Sequence, residues 1–206
     1  MSNAYELSIE KLPNPEKATL EGKNKFLGFW FFLGGETVLF GTLFATFLAL
    51  RDKVGNGPAG HELFSITTTF ISTMILLFSS LTSVFAILAL KDYRLRMMQF
   101  WFWVTILLGL CFLSLEIYEF FNYVKEGLGY KTSAFSSSFY TLVGTHGSHV
   151  FFGILWISTL MIASYKKGIT TVTAPKYYIA ALYWHFIDVV WVFIFTVVYL
   201  LGILGG

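Results

Sequence analysis

Residues 26–50 read FLGFWFFLGGETVLFGTLFATFLAL, an apolar run in which Glu36 is the single ionisable side chain. A helix of about 20 predominantly apolar residues is long enough to cross the hydrocarbon core of a bilayer. An isolated strand cannot cross it, because its backbone groups would lack hydrogen-bond partners in lipid. The alternating pattern of a membrane barrel is absent from this run. The run therefore predicts a transmembrane helix.

Four more apolar runs of comparable length follow the first. They span residues 66–90, 98–121, 139–164 and 178–202. The chain is 56% hydrophobic and only 13% charged, whereas about 25% of an ordinary soluble domain is charged. The predicted fold is therefore all-α: a polytopic membrane helix bundle with five transmembrane helices. We expect a polar arm over residues 1–25 and one transmembrane domain over residues 26–206.

The distribution of Lys and Arg predicts the orientation of the bundle. Ten positive side chains fall in the N-terminal arm and in the second and fourth connections, which share one side of the membrane. Four fall on the opposite side, namely Arg51, Lys53, Lys125 and Lys131. Because cytoplasmic loops carry the excess of Lys and Arg, we expect a cytoplasmic N-terminus and a C-terminus outside.

Net charge and cysteine content argue against two other classes of protein. The formal net charge is only +2 and no basic stripe is present, so the sequence predicts no nucleic-acid partner. Cys111 is the only cysteine, so an internal disulfide is impossible.

Seven ionisable side chains fall inside the predicted spans, where each costs about 2.5–3.5 kcal/mol on insertion scales. They are Glu36, Glu116, Glu119, His146, His149, His185 and Asp188. Six of them form three pairs spaced i, i+3, so the two members of a pair share one helix face. Each side chain therefore needs a partner, a water-filled cavity or a function.

Three interpretations of these side chains remain open from the residues alone. Acids and imidazoles on facing helices could hold a pair of metal ions, although the Glu-x-x-His motif of di-iron bundles is absent. They could instead form a proton path, as in pumps and transporters. They could also pair with one another and tie the helices together, as buried charges usually do.

Four segments, taken in order, resemble subunit III of the haem-copper terminal oxidases. They are FLGFWFFLGGETVLFGTLFATF, LSLEIYEF, FYTLVGTHGSHVFFGILW and LYWHFIDVVWVFIFTVVYL. The resemblance runs from about residue 22 to the C-terminus. The chain is similar to the shorter, five-helix bacterial form of that family, and most of all to the Bacillus-type cytochrome c oxidases.

The resemblance implies an accessory, metal-free subunit of a proton-pumping oxidase in the bacterial plasma membrane. Such a subunit packs on subunit I, alongside subunit II and a small subunit IV, and supports proton uptake and sustained turnover. Haem and copper are expected in the partner subunits, and bound phospholipid in this one. The seven ionisable side chains are then structural or proton-related rather than catalytic, and Arg94 and Arg96 are candidates for binding lipid headgroups.

Two alternatives accompany this interpretation. The menaquinol oxidases have closely similar third subunits, so the electron donor could be a quinol rather than cytochrome c. From other classes, a small proton-coupled transporter or an intramembrane di-metal enzyme would use the same residue types.

Overall fold

A computed structural model of the chain describes residues 15–17, 19–55, 58 and 64–204, with the backbone alone for 203 and 204. The helices are α1 (Leu20–Leu50), α2 (Ile66–Lys91), α3 (Leu95–Lys125), α4 (Ala134–Lys167) and α5 (Ala174–Ile194). A short 3-10 helix, Pro15–Lys17, precedes α1. After α5 the chain continues through a π-helical segment, Phe195–Leu200, and a last α-helical turn, Leu201–Leu204.

The prediction of an all-α membrane protein with five spans is confirmed. Five helices are long and apolar enough to cross a membrane, and the described residues contain no strand. Four of the helices extend past their apolar runs by several residues at one or both ends, and α2 does so by Lys91 alone. In particular, α1 begins at Leu20, whereas the sequence places residues up to 25 in the polar arm. Residues 1–14 of that arm lie outside the described part of the chain.

Local side-chain chemistry accounts for the ends of two helices. The Thr19 hydroxyl accepts a hydrogen bond from the Gly22 amide at 3.0 Å, which satisfies one of the free N–H groups at the start of α1. Ser133 and Ser136 form a reciprocal capping box at the start of α4. That helix ends at Gly168, whose φ of 62° lies in the left-handed region that glycine adopts at little cost.

The helices α2, α3, α4 and α5 form a closed ring of four, and α1 lies outside it against α4 and α5. This arrangement explains the burial of the spans: 50% of the most apolar window is buried in the last helix but only 17% in α1. Much of α1 is therefore exposed to lipid or to another protein.

Two tryptophans of α5 fill the centre of the ring. Trp184 is 2% exposed and packs against Gly109 of α3, where an added Cβ would lie 2.6 Å from its Cη2 atom. The indole N–H groups of Trp184 and Trp191 donate to the hydroxyls of Ser79 and Thr73 of α2, both at 3.0 Å. Close helix approach at a small residue and hydrogen bonds between helices are the usual means of association in a membrane.

Candidate functional site

The Glu36 carboxylate of α1 lies against the His149 ring of α4. Oε2 of Glu36 and Nε2 of His149 are 3.0 Å apart, and the two side chains are 16% and 20% exposed. The Phe40 ring packs edge-on against the imidazole, with centroids 5.1 Å apart. This contact joins the outer helix α1 to the ring of four.

The geometry of the pair fixes its proton content. His149 Nδ1 is 2.8 Å from the carbonyl oxygen of Thr145, which can only accept, so Nδ1 carries a proton. The bond between Nε2 and Glu36 then needs one further proton, on either the imidazole or the carboxyl group. The pair is thus a single protonatable unit with no net charge, which lowers the cost of placing it in the membrane.

A groove of about 290 Å³ lies beside this pair on the outer surface of the bundle. Its lining comprises Phe32, Ser148, His149, Phe152 and Tyr183. The Tyr183 hydroxyl donates to the backbone carbonyl of His149 at 3.3 Å, which holds one wall of the groove against α4. The aromatic lining suits an acyl chain, and the imidazole supplies the polar group within reach.

Glu116 and Glu119 lie on the interior face of α3, only 4% and 5% exposed. Neither carboxyl forms an ion pair within the described chain, and Oε1 of each has no hydrogen-bond partner there. Gly147 of α4 leaves the room for Glu116, since a Cβ at that position would lie 2.8 Å from Oε2. The structure therefore does not bring these acids to the histidines as pairs.

His146 is fully buried between aromatic rings, with the Phe112 and Trp191 centroids at 5.8 and 5.2 Å. Its Nε2 donates to the carbonyl oxygen of Ile187 at 3.3 Å, because that oxygen can only accept. Nδ1 has no partner among the described residues, so a second proton there would leave a buried charge unpaired, which favours the neutral ring. The contacts of His146 tie α4 to α5.

His185 and Asp188 lie together on α5 where it faces α2. The His185 Nδ1 atom shares a hydrogen bond of 2.6 Å with the Ser80 hydroxyl, and Asp188 lies beside the same serine. Asp188 is 7% exposed and its Oδ1 has no partner in the described chain. This polar group reaches the surface of the bundle through the half-buried His185.

The two arginines proposed for lipid headgroups differ in their surroundings. Arg94 lines a groove of about 200 Å³ at the turn between α2 and α3, with Asp92, Trp101 and apolar side chains of both helices. Its Nε atom is 3.9 Å from Oδ2 of Asp92. Arg96 is exposed and does not line this groove.

Within residues 15–17, 19–55, 58 and 64–204, no three His, Cys, Asp or Glu side chains come together as a metal site would require. The groups that do come together include several that the sequence does not mark as candidates, namely Thr145, Tyr183, Ser80, Tyr123 and Tyr199. Thr145 contributes its backbone carbonyl and the others a hydroxyl, and neither group carries an insertion cost comparable to a charge, so they do not stand out in an apolar run. Only Thr145 and Tyr123 lie one helical turn from an imidazole or an acid, so spacing could have indicated these two.

A bundle of five helices long and apolar enough to cross a membrane, with ionisable side chains inside the spans, defines a multi-pass membrane protein. The family model for cytochrome c oxidase subunit III matches residues 16–203. The chain therefore belongs to the cytochrome c oxidase subunit III family, which makes it a multi-pass plasma-membrane subunit of an oxidase complex.

Individual relatives agree with the family. The chain is 64% identical over 201 residues to cytochrome c oxidase subunit 3 of Bacillus sp. (strain PS3), covering 97% of each chain. It is 63% identical over 193 residues to cytochrome c oxidase subunit 3 of Bacillus subtilis (strain 168), covering 93% of each. It is 49% identical over 185 residues to quinol oxidase subunit 3 of the same strain, covering 90% of each.

Proposed function

We propose that this chain is the accessory subunit III of a proton-pumping cytochrome c oxidase and takes no direct part in the chemistry of oxygen reduction. The observation that carries the proposal is the family match over residues 16–203, with identities of 64% and 63% to two cytochrome c oxidase subunits. Haem and copper then belong to the partner subunits. A menaquinol oxidase is the second candidate for the complex, but the 49% identity to a quinol oxidase subunit favours it less.

The partners follow from the same proposal. The chain packs against subunit I within the membrane, and subunit II and a small subunit IV complete the complex. Its N-terminal arm faces the cytoplasm and its C-terminus the outside, as the ten positive side chains against four indicate. The exposed surface of α1, 17% buried in its most apolar window, leaves ample area for lipid and for a partner helix.

Phospholipid binding is supported by two grooves. Aromatic side chains line the groove beside His149, and Arg94 borders the other. An acyl chain would lie along apolar walls while a phosphate pairs with the guanidinium, a preferred partner of phosphate. Arg96 is exposed nearby and would add positive charge near the membrane surface.

The Glu36–His149 pair is the site we assign to proton support. It is one protonatable unit, partly exposed and bordered by a groove. In the complex it would exchange protons near the proton entry region of subunit I and so prolong turnover. Glu116, Glu119, His146, His185 and Asp188 fix the packing of the ring or take part in proton handling.

Replacement of Glu36 in the whole complex tests this role. Glu36→Ala removes both the bond to His149 and the proton, whereas Glu36→Gln keeps a donor for Nε2 but no exchangeable carboxyl proton. We expect both variants to inactivate after fewer turnovers, and the alanine variant alone to lose lipid. Thr42→Ala is the control, because the Thr42 hydroxyl bonds only to its own helix. Unchanged turnover lifetime and lipid content in Glu36→Ala would contradict the proposal.

A further inference from the structure

Four buried polar side chains meet between α3, α4 and the end of the α5 helix. Glu116, Glu119 and Tyr123 follow one another along the interior face of α3, none more than 5% exposed. Tyr199, 1% exposed, comes from the π-helical segment Phe195–Leu200. We refer to these four side chains as the inner cluster.

The aromatic packing brings the members of the inner cluster together. The rings of Tyr123 and Tyr199 both contact Phe64, with centroids 5.7 and 4.9 Å away. Both also contact Phe139, at 5.9 and 6.1 Å. Tyr199 lies within electrostatic range of both carboxyls and of Tyr123. The cluster therefore occupies one region of the interior.

Each member of the cluster has a polar atom that no described protein atom satisfies. These atoms are Oε1 of Glu116, Oε1 of Glu119 and the hydroxyl oxygens of Tyr123 and Tyr199. Glu119 and Tyr123 are one turn apart and approach each other without reaching hydrogen-bond geometry. Buried polar atoms in native proteins are bonded to protein or to ordered water in the large majority of cases.

A ligand that satisfies the inner cluster must both donate and accept hydrogen bonds. No positively charged side chain pairs with either carboxyl in the described chain. An ionised carboxylate needs hydrogen-bond donors, whereas a protonated carboxyl group also needs a hydrogen-bond acceptor. Each tyrosine hydroxyl needs an acceptor as well. Water meets all of these requirements, and one buried water commonly makes about three hydrogen bonds. Because Gly147 lacks a Cβ, the Glu116 carboxyl itself approaches the backbone of α4 closely.

The fold supplies a second feature at this place. The chain leaves the α-helical path at Phe195 and adopts a π-helix over six residues, one of which is Tyr199. Wider turns of this kind occur frequently at functional sites and set side chains differently from a continued α-helix. Here the wider turn carries Tyr199, which lies near both acids of α3.

We propose that the inner cluster is a water-binding site, in which about two ordered water molecules bridge Glu116, Glu119, Tyr123 and Tyr199. This site is separate from the Glu36–His149 pair and its groove. It depends on the geometry of this chain alone, so it holds whether the complex oxidises cytochrome c or a quinol.

A density map of the purified complex, at a resolution that shows ordered water, tests the site directly. We expect density within hydrogen-bonding distance of both carboxyls and both tyrosine hydroxyls. Direct bonds among the four side chains, with no density between them, would overturn the proposal. A metal ion coordinated by both carboxylates would overturn it as well.

Hydroxyl removal gives a second, independent readout. Tyr199→Phe should lower the thermal unfolding midpoint of the chain in the complex, because the bridging water loses a partner. A dry, unpaired hydroxyl would instead give an unchanged or raised midpoint on removal, since its desolvation penalty disappears. That result would contradict the proposal. Tyr140→Phe is the matched control: its hydroxyl donates directly to the Leu128 carbonyl at 2.7 Å, so its loss lowers the midpoint in either case.

Discussion

At the scale of single residues, the pairing of Glu36 with His149 shows how an acid is accommodated in a membrane helix. The Thr145 carbonyl holds a proton on Nδ1, so the pair carries one shared proton and no net charge. A lone carboxylate at the same depth would have to be protonated or reach water. The neutral pair is the less costly arrangement and keeps a transferable proton in place.

Glycines at helix contacts give a residue-scale prediction for stability. A Cβ at Gly109 would lie 2.6 and 2.9 Å from two carbons of the buried Trp184 ring, so Gly109→Ala must displace the indole. Overpacking of this kind costs about 1–3 kcal/mol, and we expect a lower thermal unfolding midpoint. Gly144→Ala is the control, with nothing within 4 Å of the added Cβ. Equal midpoints for the two variants would show that the indole does not require the glycine.

The partners of individual residues were only partly predictable. The free-energy cost of an ionisable side chain inside a membrane span marks Glu36 and His149 as notable residues in the sequence. The residues alone do not say that His149 faces α1 while His146, three positions earlier, faces Trp191. The two side chains point about 60° apart around α4, so they share one face of the helix broadly, yet each contacts a different neighbouring helix.

At the scale of the helices, α5 is fastened to α2 by hydrogen bonds from its two indoles. Lipid is as apolar as the side chains it touches, so hydrophobic burial does not hold the two helices together, and packing and hydrogen bonds must do so. The buried hydroxyls of Ser79 and Thr73 therefore have a structural role on α2.

Loss of one hydroxyl tests this attachment. Ser79→Ala leaves the Trp184 N–H without its acceptor, and we expect a loss of about 1 kcal/mol in the free energy of unfolding. Ser114→Ala is the matched control, because the exposed Ser114 hydroxyl bonds only to the Leu110 carbonyl of its own helix. The measurement is unfolding in detergent followed by tryptophan fluorescence. If both variants lost equal stability, the bond between helices would contribute nothing of its own.

The existence of the five helices was predictable from the sequence, but the π-helical segment within the last span was not. Runs of more than 20 apolar residues demand helices in lipid, which made all five evident. The π-helical segment Phe195–Leu200 lies within the apolar run 178–202 and changes neither hydropathy nor length. Hydropathy and length therefore carry no signal for the wider turn.

At the scale of the whole molecule, four helices form the ring and α1 is added to its outside through α4 and α5. The sequence predicts five spans but gives no order of packing, because every span is apolar on most of its surface. The amphipathic pattern that locates a soluble helix is weak where the surroundings are lipid. The ionisable residues, the glycines and the side chains that hydrogen-bond between helices, such as Trp184 and Ser79, carry most of the information about which faces meet.

Orientation is a prediction for the intact chain that labelling can test. In a Cys111→Ser background, Lys131→Cys and Lys167→Cys place a thiol at exposed positions on opposite ends of the bundle. With the N-terminus in the cytoplasm, a membrane-impermeant maleimide added to intact cells should label the first and leave the second unlabelled until the cells are opened. The reverse pattern would invert the orientation.

The central claim is that the chain is an accessory subunit of a haem-copper oxidase. The most direct test is purification of the tagged chain from its own membrane in mild detergent, with visible spectra and metal analysis of the product. We predict that haem and copper co-purify and stay with the other subunits when this chain is stripped away. A colourless, metal-free chain that purifies alone, or iron that stays with the isolated chain, would contradict the claim.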